Sequence, residues 1–372
     1  MERYAVPVHQ NLLLRDQEAA VAITRGDLLM RFCNQCGFVY NAAFDLGKLS
    51  YNQGYDNTQT YSPYFRQYID DVIHYLVEDQ GIRASNIVEV GCGKGLFLRK
   101  LVEFPSANNR GVGFDPSYVG PLEDLDGKLR FELRFYDEQA AGTPADVIIC
   151  RHVIEHVPDP VRLLRSIRKA LSMQPHARVY FETPCVAWIL QAQIIWDFYY
   201  EHCSLFTLQS LSAAFQVAGF VVKAVRHIFG EQYLWLEAEL ASGEVVQPDF
   251  QPAGISKLAR NFKVAERDLI ASWRRKIGEQ ARRGKVALWG AGAKGVTLAN
   301  LVDPERNLLD CLVDLNPRKQ GGFLPGTGHP IVGYTQLPDR HVRSAFLLNT
   351  NYRVEVLELL KNDRIALHLI DA

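Results

Sequence analysis

The stretch IVEVGCGKG, Ile87 to Gly95, decides the fold. Ile87, Val88 and Val90 form an apolar run that reads as a buried strand. Gly91, Gly93 and Gly95 make a turn, and LFLRKLVE (96–103) continues at helical spacing. A strand, a glycine turn and a helix in that order bring bare backbone against a ligand, at a helix N-terminus that favours negative charge. The spacing is G-x-G-x-G, not the G-x-G-x-x-G of dinucleotide turns, and Glu89 sits inside the strand. About twenty residues on, RGVGFDPS (110–117) closes a second apolar strand at Asp115, an acid placed to take both hydroxyls of a ribose.

With the embedded glutamate and the spaced aspartate, this region resembles motif I and the following acidic loop of class I S-adenosylmethionine-dependent methyltransferases. The resemblance implies that Gly91, Gly93 and Gly95 wrap the methionine part of the donor and that Asp115 holds its ribose. It also implies Glu89 and Arg151 as donor-site residues. Phe135 and Tyr136 follow the third strand (LRFELRFYDEQ, 129–139), where an adenine would rest; core packing is the equal alternative for this pair.

Outward from the glycine turn, strands and helices alternate to about residue 240. IVEV, GVGF, DVIICRH and RVYFETP are strands; VRLLRSIRKALS and LQSLSAAFQVAGF are helices. That order predicts an α/β fold, a mostly parallel sheet with helices on both faces. PYFRQYIDDVIHYLVEDQ (63–80) is a helix leading into it. The expected domains are a small N-terminal one (1–62), a Rossmann-like class I methyltransferase domain (63–240), a linker and long helix (241–284), and a second Rossmann-like C-terminal domain (285–372). The linker is ASGEVVQPDFQPAG (241–254). The C-terminal unit opens on KVALWGAGAKGVTLANLV, which does carry G-x-G-x-x-G at Gly290, Gly292 and Gly295, with Asp314 ending its next strand.

Forty-one basic residues against 42 acidic ones leave a net charge of −1, so no global field draws nucleic acid or an anionic membrane. The apolar stretch WILQAQIIW is too short to span a bilayer. Seven cysteines, five of them isolated, suit reduced thiols and a cytoplasmic location. Cys33 and Cys36 form a C-x-x-C knuckle, half of a tetrahedral zinc site; with no second pair and only His9 nearby in sequence, the expectation is a degenerate knuckle without metal.

Two stretches offer a proton acceptor. DVIICRHVIEHVPDP puts His152 at the carboxyl end of the fourth strand, where ligands of open α/β sheets bind; His156, four residues on, reads as a packing or capping residue. IIWDFYYEHCSLFT (194–207) sets Tyr199, Tyr200, Glu201 and His202 side by side, and a carboxylate beside an imidazole can raise its basicity and set its tautomer. This stretch, the C-x-x-C-G-F-V-Y-N start and the block WGAGAKGVTLAN…VDLNPRKQGGFLPGTGHPIV together resemble the nucleotide-sugar C-methyltransferases, which methylate a carbon beside the keto group of a dTDP-4-keto-deoxysugar. The resemblance covers nearly the whole chain. It implies His202 as the base, supported by Glu201 and Tyr199, His152 as a second active-site histidine, and Tyr55 reaching in from the N-terminal domain, with Tyr51 and Tyr61 competing for that place. It also implies a C-terminal unit that holds the sugar nucleotide through Gly292, Lys294, Asn316 and Lys319. The sequence departs from the family in its single C-x-x-C and in Glu231 and Gln232, where the family has a glycine pair. O-methylation of a sugar or other natural-product scaffold is the alternative; a dinucleotide enzyme built on Gly290–Gly295 lacks neighbours suited to hydride chemistry.

Overall fold

The computed structural model describes residues 1–51, 54–137, 139–241 and 254–372. Apart from its two ends, the expected linker lies outside the described residues.

The central sheet has eight strands, in the order Phe220–Ile228, Tyr233–Leu240, Arg178–Pro184, Val147–Arg151, Asn86–Val90, Arg110–Phe114, Leu129–Glu132 and Glu123–Asp124. Its five central strands run parallel and both edges are antiparallel. The inner strands are buried on both faces, so they read as continuous apolar runs rather than alternating ones. Strand order reverses between Asn86–Val90 and Val147–Arg151, which opens a crevice at their carboxyl ends. Register puts Val90 beside Phe114 and Cys150, and Arg151 beside Glu182, so the glycine turn, Asp115, His152 and Glu182 share one edge.

Helix Pro63–His74 starts where the sequence provides for it. Ser62 accepts the Phe65 amide and Pro63 occupies the first turn, where a missing N–H costs nothing. The second α/β unit is an all-parallel five-stranded sheet: Ile331–Val332, Cys311–Val313, Lys285–Trp289, Val342–Leu347, His368–Asp371. The N-terminal residues form an antiparallel sheet from Glu2–Pro7, Arg25–Phe32 and Val39–Asn41, and its fourth strand is Ser204–Leu205, from the far side of the methyltransferase-like unit.

These parts share a core. Leu28, Met30 and Val39 of the N-terminal sheet, Val186 and Ile189 of helix Val186–Gln191, and Val286, Leu288 and Phe346 of the C-terminal sheet belong to one apolar cluster. Helix Ile255–Ala281 runs through it and buries Ile255, Phe262, Trp273 and Ile277. The long helix expected after the linker is therefore a seam rather than a spacer.

Candidate active site

The first glycine turn can be built only from glycine. Gly91, Gly93 and Gly95 have φ of 70°, 55° and 77°, a region in which a Cβ is strained. A side chain at Gly91 would strike Val153, and one at Gly95 would strike Phe131, whereas a Cβ at Gly93 would meet open space. Asp115 braces the turn: its carboxylate accepts the Gly93 amide at 2.8 Å and the Ser117 amide at 2.7 Å. Each oxygen retains a second acceptor site. Glu89 is fully enclosed, and one of its oxygens has no partner. Burial, only partly offset by Arg151, raises its pKa to about 8. Open space along the turn, spare acceptor sites on Asp115 and an unpartnered buried carboxylate oxygen fit a donor that carries a ribose and positive charge. Tyr136 does not join this site: it is buried edge-on against Phe114 at 5.3 Å, while Phe135 is 62% exposed beside Tyr51. The core alternative describes Tyr136, whose ring has apolar neighbours to fill.

A cavity lies between the carboxyl edges of the two sheets. His202, Tyr199, His152 and Tyr55 line one side of it, and Gly290, Gly292, Lys294 and Lys319 the other. His202 has a buried Nδ1 without a partner, and its ring meets Tyr199 edge-on at 4.6 Å and His156 at 4.8 Å. Burial, then the positive charges of His156, His152 and Lys294, hold its pKa well below the usual histidine range. It is a neutral imidazole.

His152 is the opposite case. Its backbone is in the left-handed region, φ 55°, and its amide donates to the Glu182 carbonyl. Nε2 lies 2.9 Å from Glu182 Oε1 and Nδ1 lies 3.3 Å from Glu155 Oε1. Burial works against its charge, but the two carboxylates outweigh burial and raise its pKa to about 9. Both ring nitrogens are occupied, so His152 cannot serve as a free proton acceptor. Glu182, which the sequence reading missed, is the hub here: it also accepts Arg151 Nε at 2.6 Å and the Tyr68 hydroxyl at 2.7 Å. Arg151 thus spans from Glu182 to the field of Glu89, beside the donor site rather than in open space.

Glu201 departs from expectation. Its carboxylate accepts the Gln10 amide at 3.0 Å and lies 3.6 Å from His9 Nδ1, facing the N-terminal segment. Glu201 and His202 lie in an irregular segment ahead of strand Ser204–Leu205, and each finds its own surroundings, so sequence neighbours are not spatial partners here. The hydroxyl that reaches His156 Nδ1, at 2.9 Å, is that of Tyr51, while Tyr55 and Tyr61 both line the cavity. His156, read from sequence as packing, therefore stands within the site.

Lys294 crosses between the units: its ammonium pairs with Asp197, which also accepts the Tyr199 hydroxyl. Asp197 lies in the stretch 194–207, but its partner left no mark in the sequence, because only the fold brings residue 294 to it. Lys319 reaches Asn11 Oδ1 at 3.1 Å and the Ala291 carbonyl at 3.4 Å. Asn316 is buried near this turn, where its backbone amide donates to Asp314 Oδ1 and its side-chain nitrogen lacks a partner. Gln232 and Asn349 exchange hydrogen bonds of 3.0 and 3.2 Å across the cavity mouth, at the position where the chain departs from the family pattern.

Among the described residues, one group could hold a metal ion: Glu155, His156 and His202, with ligand atoms within 4.8 Å of one another. Glu155 is engaged by His152 and Thr183, and His156 Nδ1 by Tyr51, while His202 Nδ1 is without a partner. Cys33 and Cys36 are free thiols on a hairpin turn, where the Gly37 amide donates to the Cys33 carbonyl. His9 stands at Glu201 and Ser50 instead of beside them. No described helix is long and apolar enough to cross a membrane.

Residues 61–225 match the family model described as a methyltransferase domain, and residues 253–365 match the one described as a C-methyltransferase C-terminal domain. The chain is 31% identical over 108 residues to the ubiquinone biosynthesis O-methyltransferase of Photobacterium profundum, covering 28% of this chain and 45% of that protein. It is 32% identical over 109 residues to the same-named protein of Aeromonas salmonicida, covering 28% and 44%. The chain thus spans about half the length of the curated relatives it matches. Among solved structures, it is similar to the 1,6-didemethyltoxoflavin-N1-methyltransferase of Burkholderia thailandensis (TM-score 0.38, 17% identity, 50% of this chain and 82% of that one). It is also similar to the N,N-8-amino-8-demethyl-D-riboflavin dimethyltransferase of Streptomyces davawensis (TM-score 0.37, 21% identity, 48% and 55%).

Proposed function

We propose that this chain, an S-adenosylmethionine-dependent methyltransferase by its matched domains, methylates a carbon beside the keto group of a nucleotide-linked sugar, with His202 as the base that forms the enolate. The observation that carries this reading is the shared cavity. His202 and Tyr199 line it from the methyltransferase domain, Tyr55 from the N-terminal segment, and the Gly290–Gly295 turn from the unit that matches a C-methyltransferase C-terminal domain. A glycine turn at the start of helix Ala293–Val302 supplies amides without intrahelical partners, and a diphosphate suits such a position.

S-adenosylmethionine supplies an electrophilic methyl carbon on a positively charged sulfur. Gly91 to Gly95, Glu89 and Asp115 would hold it. His202, neutral and with its Nδ1 unpartnered, takes the proton alpha to the carbonyl and leaves the electron pair on the acceptor's carbon and oxygen. Tyr55, whose hydroxyl is kept protonated by burial and by Glu201, is a donor for the developing enolate oxygen. Alignment of donor and acceptor within the cavity supplies the rest of the rate enhancement.

Incubation with a dTDP-4-keto-deoxysugar in deuterated water tests this directly. Carbon methylation should be accompanied by exchange of the alpha proton, lost in His202→Ala. Methylation with no exchange, on oxygen, would support the second reading, which the named activity of the curated relatives favours; the same histidine would then deprotonate a hydroxyl.

A further inference from the structure

Asp197 is 4% exposed, and its carboxylate is the meeting point of two units: it takes Lys294 Nζ at 2.6 Å and the Tyr199 hydroxyl. Lys294 stands in the first turn of helix Ala293–Val302, on the cavity wall. The contact leaves no room for a phosphate oxygen between the two groups. The neighbouring cation is also engaged, since Lys319 holds Asn11, the Ala291 carbonyl and, at 3.8 Å, Asp314. An anion arriving at this turn meets a cation already neutralised and a carboxylate that repels it.

We propose that Asp197 is a built-in competitor for the anion site: it holds Lys294 in the free protein and yields it to a diphosphate that settles on the Gly290–Gly295 turn. This rests on the reading of that turn as the acceptor's diphosphate site. The exchange moves only an ammonium group, from one oxygen anion to another, and forms no covalent bond. Its consequence reaches the proton acceptor. The groups that face His202 are the Glu155 carboxylate, itself held by His152 and Thr183, together with His152, His156, Lys294 and the ring of Tyr199. Once Lys294 exchanges Asp197 for a diphosphate, the negative charge of the diphosphate is added on the cavity wall, and Asp197 remains beside Tyr199 with its charge uncompensated. The imidazole becomes a stronger base when the acceptor is in place and stays a weak one when it is absent.

Calorimetric titration of the full chain with inorganic pyrophosphate tests the exchange without any methyl transfer. Asp197→Asn keeps an acceptor for the Tyr199 hydroxyl and removes the competing charge, so it should bind pyrophosphate roughly 10- to 100-fold more tightly, the range for losing one charged hydrogen bond. Lys294→Met should bind it more weakly, and Asp197→Asn should bring no gain in the Lys294→Met background. Weakened binding in Lys294→Met with unchanged or weaker binding in Asp197→Asn overturns the competitor role and leaves the diphosphate site standing. Unchanged affinity in Lys294→Met, or no binding to any form, removes the diphosphate site and the competitor with it. If Asp197→Asn does not fold, the wild-type chain still decides: the Nζ resonance of Lys294, assigned by its loss in Lys294→Met, should shift as pyrophosphate saturates. A resonance that stays in place overturns the proposal.

Discussion

At the scale of single residues, His202 and His152 border one cavity and titrate in opposite senses. His202 is buried without a carboxylate partner and stays neutral; His152 is clamped between Glu182 and Glu155 and stays charged up to about pH 9. Removal of a general base typically costs about 10²–10⁴ in rate, and His202→Asn should lower kcat by that order while donor affinity, measured by calorimetry, is retained. The pH–rate profile should keep its plateau through the ordinary histidine range near 6.5, with an alkaline limb near 9 as His152 loses its proton. The stability signs also differ. The ion pairs of His152 stabilise the fold fully below about 6.5 and are lost as pH rises through about 9. His202, with its pKa depressed, makes the fold less stable as pH falls below about 6.5. Thermal melts should therefore show His202→Asn losing less stability than the native chain on acidification from 6.5; an equal or greater loss would mean that His202 is charged in the fold.

At the scale of elements, the site depends on where strands stop. Arg151, His152 and Glu182 end neighbouring strands, and the register sets Arg151 against Glu182, a contact that no motif announced. Glu201 was misleading for a related reason: it lies in an irregular segment, where adjacency in the chain does not fix which way a side chain faces. Helix Pro63–His74 receives a cap from another unit: Glu355, buried in the first turn of helix Arg353–Asn362, accepts Ser62 Oγ at 2.5 Å and the Tyr64 amide at 3.0 Å. Glu355→Ala should destabilise the chain by about 1–3 kcal/mol, the cost of leaving such groups unpaired. A melting temperature equal to that of the native chain would assign those groups to solvent.

At the scale of the whole molecule, the parts recognisable as separate units in the sequence share an interior. Val186, Ile189 and Phe198 on one side, and Phe262, Trp273 and Phe346 on the other, belong to one cluster. A fragment ending at residue 253 would expose the first set to water, and it should melt well below the full chain or aggregate. A fragment with the full chain's melting temperature and a monomer's elution volume would show that the cores are independent.

The sequence by itself determined the local elements. Buried parallel strands are continuous apolar runs, and a φ above zero at a close turn demands glycine, so each leaves a mark within a few residues. The two glycine turns and the strands that lead into them were legible for that reason. Pairings between distant residues were decided only by the tertiary structure: Asp197 with Lys294, Glu182 with His152, Tyr51 with His156, Glu355 with Ser62. Such contacts depend on how sheets and a seam helix pack, and packing imposes no fixed spacing along the chain. The protonation of each histidine follows from those contacts and from burial, which is why two histidines that look alike in the sequence have pKa values shifted in opposite directions in the fold.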